Sequence, residues 1–214
     1  MTSTRVRAVA LAALASLLLA GCASGLAGSA TVVGGVAVSD REVAASVDEL
    51  LAQVAGVEGA QPIDEETATR VTVERYTREL LFAQAAAREG ITVTQAEVDD
   101  IVAQTVEGQF GGDRAAFEAA LASQQAVPSS EIAAFARDFV VRTKLVEKIS
   151  PSGDTEVISR YLADLADEVG VEVSPRFGTW DAANVSLGPV PDDLSSPAPL
   201  APQPVRPAPI APAG

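Results

Sequence analysis

Histidine is missing from all 214 residues, and cysteine occurs once, at position 22. The first absence removes the commonest general base near neutral pH and the commonest zinc ligand. The second forbids any intrachain disulfide. Aromatic residues make up only 4% of a chain that is 48% hydrophobic, so a core must be built mainly from Ala, Val and Leu, which suits closely packed helices. Lysine appears only as Lys144 and Lys148, and the net charge is −14. A chain so acidic lacks the basic patch that nucleic-acid phosphates require. It is also repelled by an anionic membrane surface, so membrane attachment has to be something other than electrostatic. The acidity serves solubility, with a preference for basic polypeptides as the other reading open to it.

Familiar chemical motifs are absent as well. Asp64-Glu65-Glu66 and Asp99-Asp100 fall at helical positions expected to face water, and neither has the spacing of a calcium loop. The stretch Gly108 to Gly112 lacks the Lys and the preceding strand of a phosphate loop. No nucleophile or oxyanion motif accompanies the carboxylates. No metal, cofactor or small-molecule substrate is expected, and no catalytic residue is assigned.

What is present begins with a leader. Arg5 and Arg7 precede Ala8–Ala20, an apolar run of 13 residues broken only by Ser16. That is the length of a signal-peptide core and short of the roughly 20 residues a spanning helix needs. Leu19-Ala20-Gly21-Cys22 then resembles a bacterial lipobox, with Leu19, Ala20 and Gly21 as the signal-peptidase recognition residues and the Cys22 thiol as the lipid acceptor. The expectation is a signal peptide over 1–21 and a chain held on the extracytoplasmic face of a bacterial cell membrane by acyl groups on Cys22. One acyl chain anchors marginally, at about 0.8 kcal/mol per buried CH₂, and two anchor stably. Loss of Arg5 and Arg7 with the leader would take the charge from −14 to about −16.

Residues 22–30 read as a short lipidated Gly/Ser/Ala tether. Thr31-Val32-Val33 and Val36-Ala37-Val38 flank Gly34-Gly35 as two strands about a tight turn. Ser39 with Glu42 opens a helix as a capping box, and Val43, Val47, Leu50, Leu51 and Val54 share its face. Acids at 64–66 open a second helix, as the helix dipole favours, with an expected apolar stripe of Val73, Tyr76, Leu80, Ala83 and Ala87. Thr94 with Glu97 opens a third helix, Asp113 a fourth, Pro128-Ser129 a fifth and Asp154 a sixth. On the sixth, Val157, Ile158, Tyr161, Leu165 and Val169 are expected inward. Val171-Glu172-Val173 alternates as a strand. From Ser186 to Gly214, nine of 29 residues are Pro, a composition that cannot bury a core. The expected fold class is therefore mainly α, a multi-helix domain over 31–181 with a small β element made by short strands near its two ends, followed by a Pro-rich tail over 182–214 that is expected to be extended and disordered.

The order of these pieces resembles the N-terminal peptide-binding domain of the SurA/PrsA family of extracytoplasmic chaperones. The resemblance is carried by Val32-Val33-Gly34-Gly35-Val36-Ala37-Val38-Ser39 and by Glu79-Leu80-Leu81-Phe82-Ala83-Gln84-Ala85-Ala86 ahead of Gly90. It continues in Phe117-Glu118-Ala119-Ala120-Leu121, Leu145-Val146-Glu147-Lys148, and Val173-Ser174-Pro175-Arg176-Phe177-Gly178-Thr179-Trp180-Asp181. Family members often insert parvulin isomerase domains of roughly 90 residues before the last helix. Here Ser150-Pro151-Ser152-Gly153 leaves no room for one, so the resemblance does not imply isomerase activity.

What it implies is ATP-independent holding of unfolded exported polypeptides. An envelope adaptor that docks one protein partner, and a degenerate isomerase, remain open beside it. Phe110, next to the break at Gly111-Gly112, is the aromatic expected to reach a peptide groove; the other reading open to it is a cap over a helix pair. Phe117, Phe135 and Phe139 are expected in the core. Trp180 is expected to be a packing anchor, with Arg176 and Asp181 satisfying the sheet edge.

Overall fold

Gly34 and Gly35 both adopt positive φ, 57° and 80°, as a two-residue hairpin turn requires. They join β1 (Ser29–Val33) to β2 (Val36–Ser39) in the computed structural model, which describes residues 26–191. The leader, the Leu19-Ala20-Gly21-Cys22 motif and most of the Pro-rich segment lie outside the described residues. A third strand, β3 (Val171–Val173), pairs antiparallel with the other edge of β1, Thr31 opposite Val173 and Val33 opposite Val171. The strand order is β2-β1-β3, so the two ends of the domain meet in one sheet.

Both expected capping boxes form. Ser39 accepts from the Glu42 backbone while Glu42 accepts from Ser39, opening α1 (Asp40–Ala55). Thr94 and Glu97 do the same for α3 (Gln95–Phe110). Between them, Asp64 caps the 25-residue α2 (Glu65–Glu89), which Gly90 ends in the left-handed conformation. Asp113 caps α4 (Arg114–Gln125), and Asp154 caps α6 (Thr155–Val169). The helix expected from Pro128-Ser129 starts with a 3₁₀ turn, Ser129–Glu131, before α5 (Ile132–Ile149). The start of α5 has no side-chain cap of its own. Instead α1 supplies acceptors: Gln53 takes the Ser129 N–H at 3.1 Å, and Glu49 takes the Ser130 N–H at 3.0 Å and its hydroxyl at 2.6 Å. These bonds satisfy donors that a helix start otherwise leaves to water.

Helix α2 departs from its expected stripe. Ala83 and Ala87 are exposed, whereas Thr72, Val73, Thr77, Leu81, Phe82, Ala85 and Ala86 are buried. A single stripe describes a helix packed on one side, but α2 is central and contacts α1, α5, α6 and β1. Of its two buried threonine hydroxyls, that of Thr77 is matched, lying 2.9 Å from Thr31 Oγ1, which donates to the Glu172 carbonyl at 3.2 Å, whereas Thr72 Oγ1 has no hydrogen-bond partner among the described residues. On α6, Val157 turns outward at 37% exposure, and Leu162 takes the inward place beside Leu165.

The folded unit runs past both expected boundaries. Ala30, placed in the tether by composition, is fully buried in β1. Beyond Asp181, a small hairpin of β4 (Trp180–Asp181) and β5 (Ser186–Leu187) closes the domain. Leu187 is only 9% exposed, its N–H donates to Glu74, and Arg70 donates to the Gly188 carbonyl. Trp180 packs against two apolar clusters, one around Val43, Val47, Leu50 and Val73 and one around Val33, Leu81, Leu145 and Leu165. Its neighbours do not serve the sheet edge as expected. Arg176 pairs with Asp40 and stacks on Phe177, and Asp181 accepts from Asn184.

Candidate binding groove

A third cluster is made of Phe117, Leu121, Val127 and Ile132, and three of these, Phe117, Leu121 and Ile132, form the floor of a cleft of about 800 Å³ between α3 and α5. Helix α3 builds one wall. Only Val98 on it is fully buried, so Ile101, Val102 and Thr105 are left to line the cleft. Helix α5 builds the other wall with Phe135, Ala136, Phe139 and Val146. Phe139 is 47% exposed, a large apolar surface held against water on the wall of a concave site. Gln109, Gln125, Thr143, Arg142 and Glu147 supply its polar edge.

Phe139 is therefore not core, contrary to expectation, while Phe117 is buried and Phe135 half-buried on the wall. Phe110 is not among the lining residues. It packs edge-on against Phe117, ring centres 5.5 Å apart, behind the surface it was expected to form. The i, i+4 spacing of Phe135 and Phe139 was the available signal. It shows a shared face but not whether another element covers that face.

Two cationic side chains of α5 bridge to the start of α3. Arg137 of α5 donates to the Val93 carbonyl at 2.9 Å and to Gln95 at 3.0 Å. Lys144 reaches Glu97 at 2.5 Å and the Thr92 carbonyl at 2.9 Å. The Lys144 ammonium, helped by the N–H and hydroxyl of Thr94, holds the Glu97 carboxyl down at about 2 against an ordinary 4.5. A depressed carboxylate supports the folded state above its unfolded value and loses that support as pH falls through its folded value. Glu97→Gln keeps the cap, since Gln also closes a capping box, but removes the charge. It is expected to flatten the decline of the urea midpoint between pH 4.5 and about 2 at low salt. An unchanged acid limb would show that this pair does not hold the wall.

Beneath the start of α5 lies a buried ion cluster. Arg75, 6% exposed, contacts Glu79 at 3.0 Å and Glu131 at 2.5 Å and donates to Ser46 at 3.3 Å. Tyr76 donates to Glu131 at 2.5 Å. Burial, then the hydrogen bond it donates to Glu131, pushes the Tyr76 hydroxyl up to about 12. Burial raises Glu79 and Asp138 despite nearby arginines. The cluster borders a second cleft of about 480 Å³, which shares Gln125, Phe135 and Arg142 with the groove. Arg142 stands between the two, 2.9 Å from Asp138 and over the Phe82 ring.

Among the described residues, no group of three or more Cys, Asp or Glu side chains is arranged to hold a metal, and no helix is long and apolar enough to cross a membrane. Helices set around an open apolar cleft and closed by the pairing of their own flanking strands define a helical binding module. The family model of the SurA-like N-terminal domain matches residues 2–145, well over half of the chain, and the protein belongs to that family. The match ends within α5, so α6 and the closing strands lie beyond it. No parvulin domain matches. No curated protein and no solved structure matches the chain. SurA N-terminal domains are chaperone-related and bind polypeptides in general.

Proposed function

We propose that this protein is an ATP-independent holdase that receives unfolded or exported polypeptide segments in the groove between α3 and α5. The observation that carries the reading is Phe139, a half-exposed aromatic on the wall of an open apolar cleft of client-peptide size. Concave apolar surface of this kind marks an interaction site. Binding through small aliphatic and aromatic side chains is non-directional and so suits many sequences. Family membership supports the same reading.

The test is suppression of aggregation of a reduced, unfolded protein by the soluble chain from Ala23 onward, which keeps every described residue. Protection is expected, and Phe139→Ser is expected to weaken client binding about tenfold, as loss of part of a Phe contact implies, with an unchanged melting temperature. No protection at severalfold excess of the wild type would overturn the holdase and leave an adaptor for one partner in its place.

The proposal includes lipid anchoring through Cys22 at the extracytoplasmic face of the cell membrane, following the Leu19-Ala20-Gly21 recognition residues. Tethering would raise the local concentration of the groove where exported chains emerge. Cys22→Ser is expected to leave the membrane fraction. Retention of the variant there, at the mass of processed wild type, would contradict the anchor.

A further inference from the structure

The cations of this fold are already engaged. On the groove wall α5, Arg142 is tied to Asp138, Lys144 to Glu97 and Lys148 to Glu89. Arg137 is committed to Val93 and Gln95. At the start of α4, Arg114 pairs with Glu118 at 2.7 Å. Elsewhere Arg75, Arg78, Arg88, Arg160 and Arg176 pair with carboxylates, and Arg70 donates to the Gly188 carbonyl. Among the described residues, only Arg41 lacks such a partner.

The carboxylates around the groove are not consumed in this way. Helix α3 carries Glu97, Asp99, Asp100 and Glu107 and no base, and of these Glu97 alone meets a cation. Glu147 is the one carboxylate lining the groove itself, and it has no cation partner among the described residues. On the other side of α3, a smaller cleft shares Val102 and Ile132 with the groove and is lined by Asp99, Glu107 and Arg114, the last of these paired with Glu118. The groove thus carries Glu147 and its neighbouring cleft Asp99 and Glu107, with Asp100 beside them on α3; all four are exposed and meet no cation among the described residues, on a chain whose net charge is −14.

Building on the holdase reading, we infer that the groove selects cationic clients: apolar polypeptide stretches flanked by Lys or Arg. Apolar contact in the cleft is blind to charge, so it supplies affinity common to all clients. The carboxylates supply the difference. They steer basic segments toward the cleft and penalise acidic ones by like-charge juxtaposition. Because these groups are exposed, the discrimination is screened by salt.

The experiment measures binding by fluorescence anisotropy of three peptides that share one apolar core and carry Lys, Ser or Glu flanks. The Ser-flanked peptide reports the groove itself; the ratio between the other two reports the inference. At low salt the Lys-flanked peptide is expected to bind about tenfold or more tightly than the Glu-flanked one. The ratio should collapse near 1 M salt, where the screening length is about 3 Å. Equal affinities across the three at low salt would overturn the charge selection while leaving polypeptide binding intact. Binding by none of them would overturn both. The combined variant Asp99→Asn, Asp100→Asn and Glu107→Gln alters only exposed positions outside the groove lining. It is expected to keep the Ser-flanked affinity and lower the Lys-over-Glu ratio severalfold, and an unchanged ratio would overturn the assignment to these residues. The salt series on the wild-type chain decides the matter independently of how that variant folds.

Discussion

A chain ending at Ser150 is expected to show no cooperative unfolding transition, although it retains every residue that matches the SurA-like N-terminal family model. The missing part supplies half of a core. Leu162, Leu165 and Ala166 of α6 pack with Val33, Leu81 and Leu145, and β3 covers the outer edge of β1. Trp180 is shared by two clusters, and Leu187 seals the first. Burying one Leu side chain is worth roughly 1.5–3 kcal/mol, against a total stability of about 5–15 kcal/mol for a domain. Losing three buried leucines, a Trp and a strand pairing leaves nothing to offset the conformational entropy of the remaining chain. Near-UV circular dichroism and a urea titration check this. A sharp sigmoidal transition in the truncated chain would mean that the first five helices fold alone and that α6 is an accessory.

Arg75→Ala is expected to destabilise the domain by about 3–5 kcal/mol, the cost of leaving a buried carboxylate without its partner. Arg75 faces both Glu79 and Glu131, and Glu131 also accepts from Tyr76. The same arginine therefore ties α2 to the residue just before α5, the helix that forms the Phe139 wall. The deficit should depend on pH. Burial already raises the Glu79 carboxyl in the wild type, and the Arg75 charge opposes that rise. Without Arg75 the folded value climbs further above the unfolded one. A carboxyl raised in this way stabilises the fold below its unfolded value and loses that support as pH rises through its folded value. The variant should therefore approach the wild type in acid, where Glu79 takes up a proton, and fall behind it toward neutrality. Urea midpoints measured at several pH values report this directly. A deficit of constant size across the series would show that Arg75 acts by packing and not by charge.

Much of the local structure was legible because its causes lie within a few residues of one another. Ser39 with Glu42 and Thr94 with Glu97 place the helix starts by bonds made three residues apart. Gly34-Gly35 places the hairpin because only glycine adopts two successive positive φ values without strain. The start of α5 was located less well, at Pro128-Ser129, because its acceptors, Gln53 and Glu49, lie on another helix. The stripe of α2 was misread at Ala83 and Ala87, since a helix surrounded on several sides does not obey a single periodicity.

The groove shows the same division. Residues Phe135, Phe139 and Val146 are legible as one apolar face of α5, and that face does form a wall. Whether it is core or open surface depends on how far α3 stands from α5, which Arg137 and Lys144 set by reaching the backbone ahead of α3. Phe110 illustrates the converse. Its place beside a glycine break suggested a partly exposed ring reaching the groove; the ring is half-buried, but it packs onto Phe117 and does not line the groove.

On its own, then, the sequence determined the helices, the hairpin, the caps and the acidity, because each depends on neighbours along the chain or on composition alone. Tertiary structure decided the rest: that β1 pairs with a strand about 140 residues later, that α2 is buried on several sides, and that one apolar stripe of α5 stays open. Such choices follow from which surfaces meet when distant segments compete to leave water, and a free energy shared between distant segments has no signature in either segment by itself.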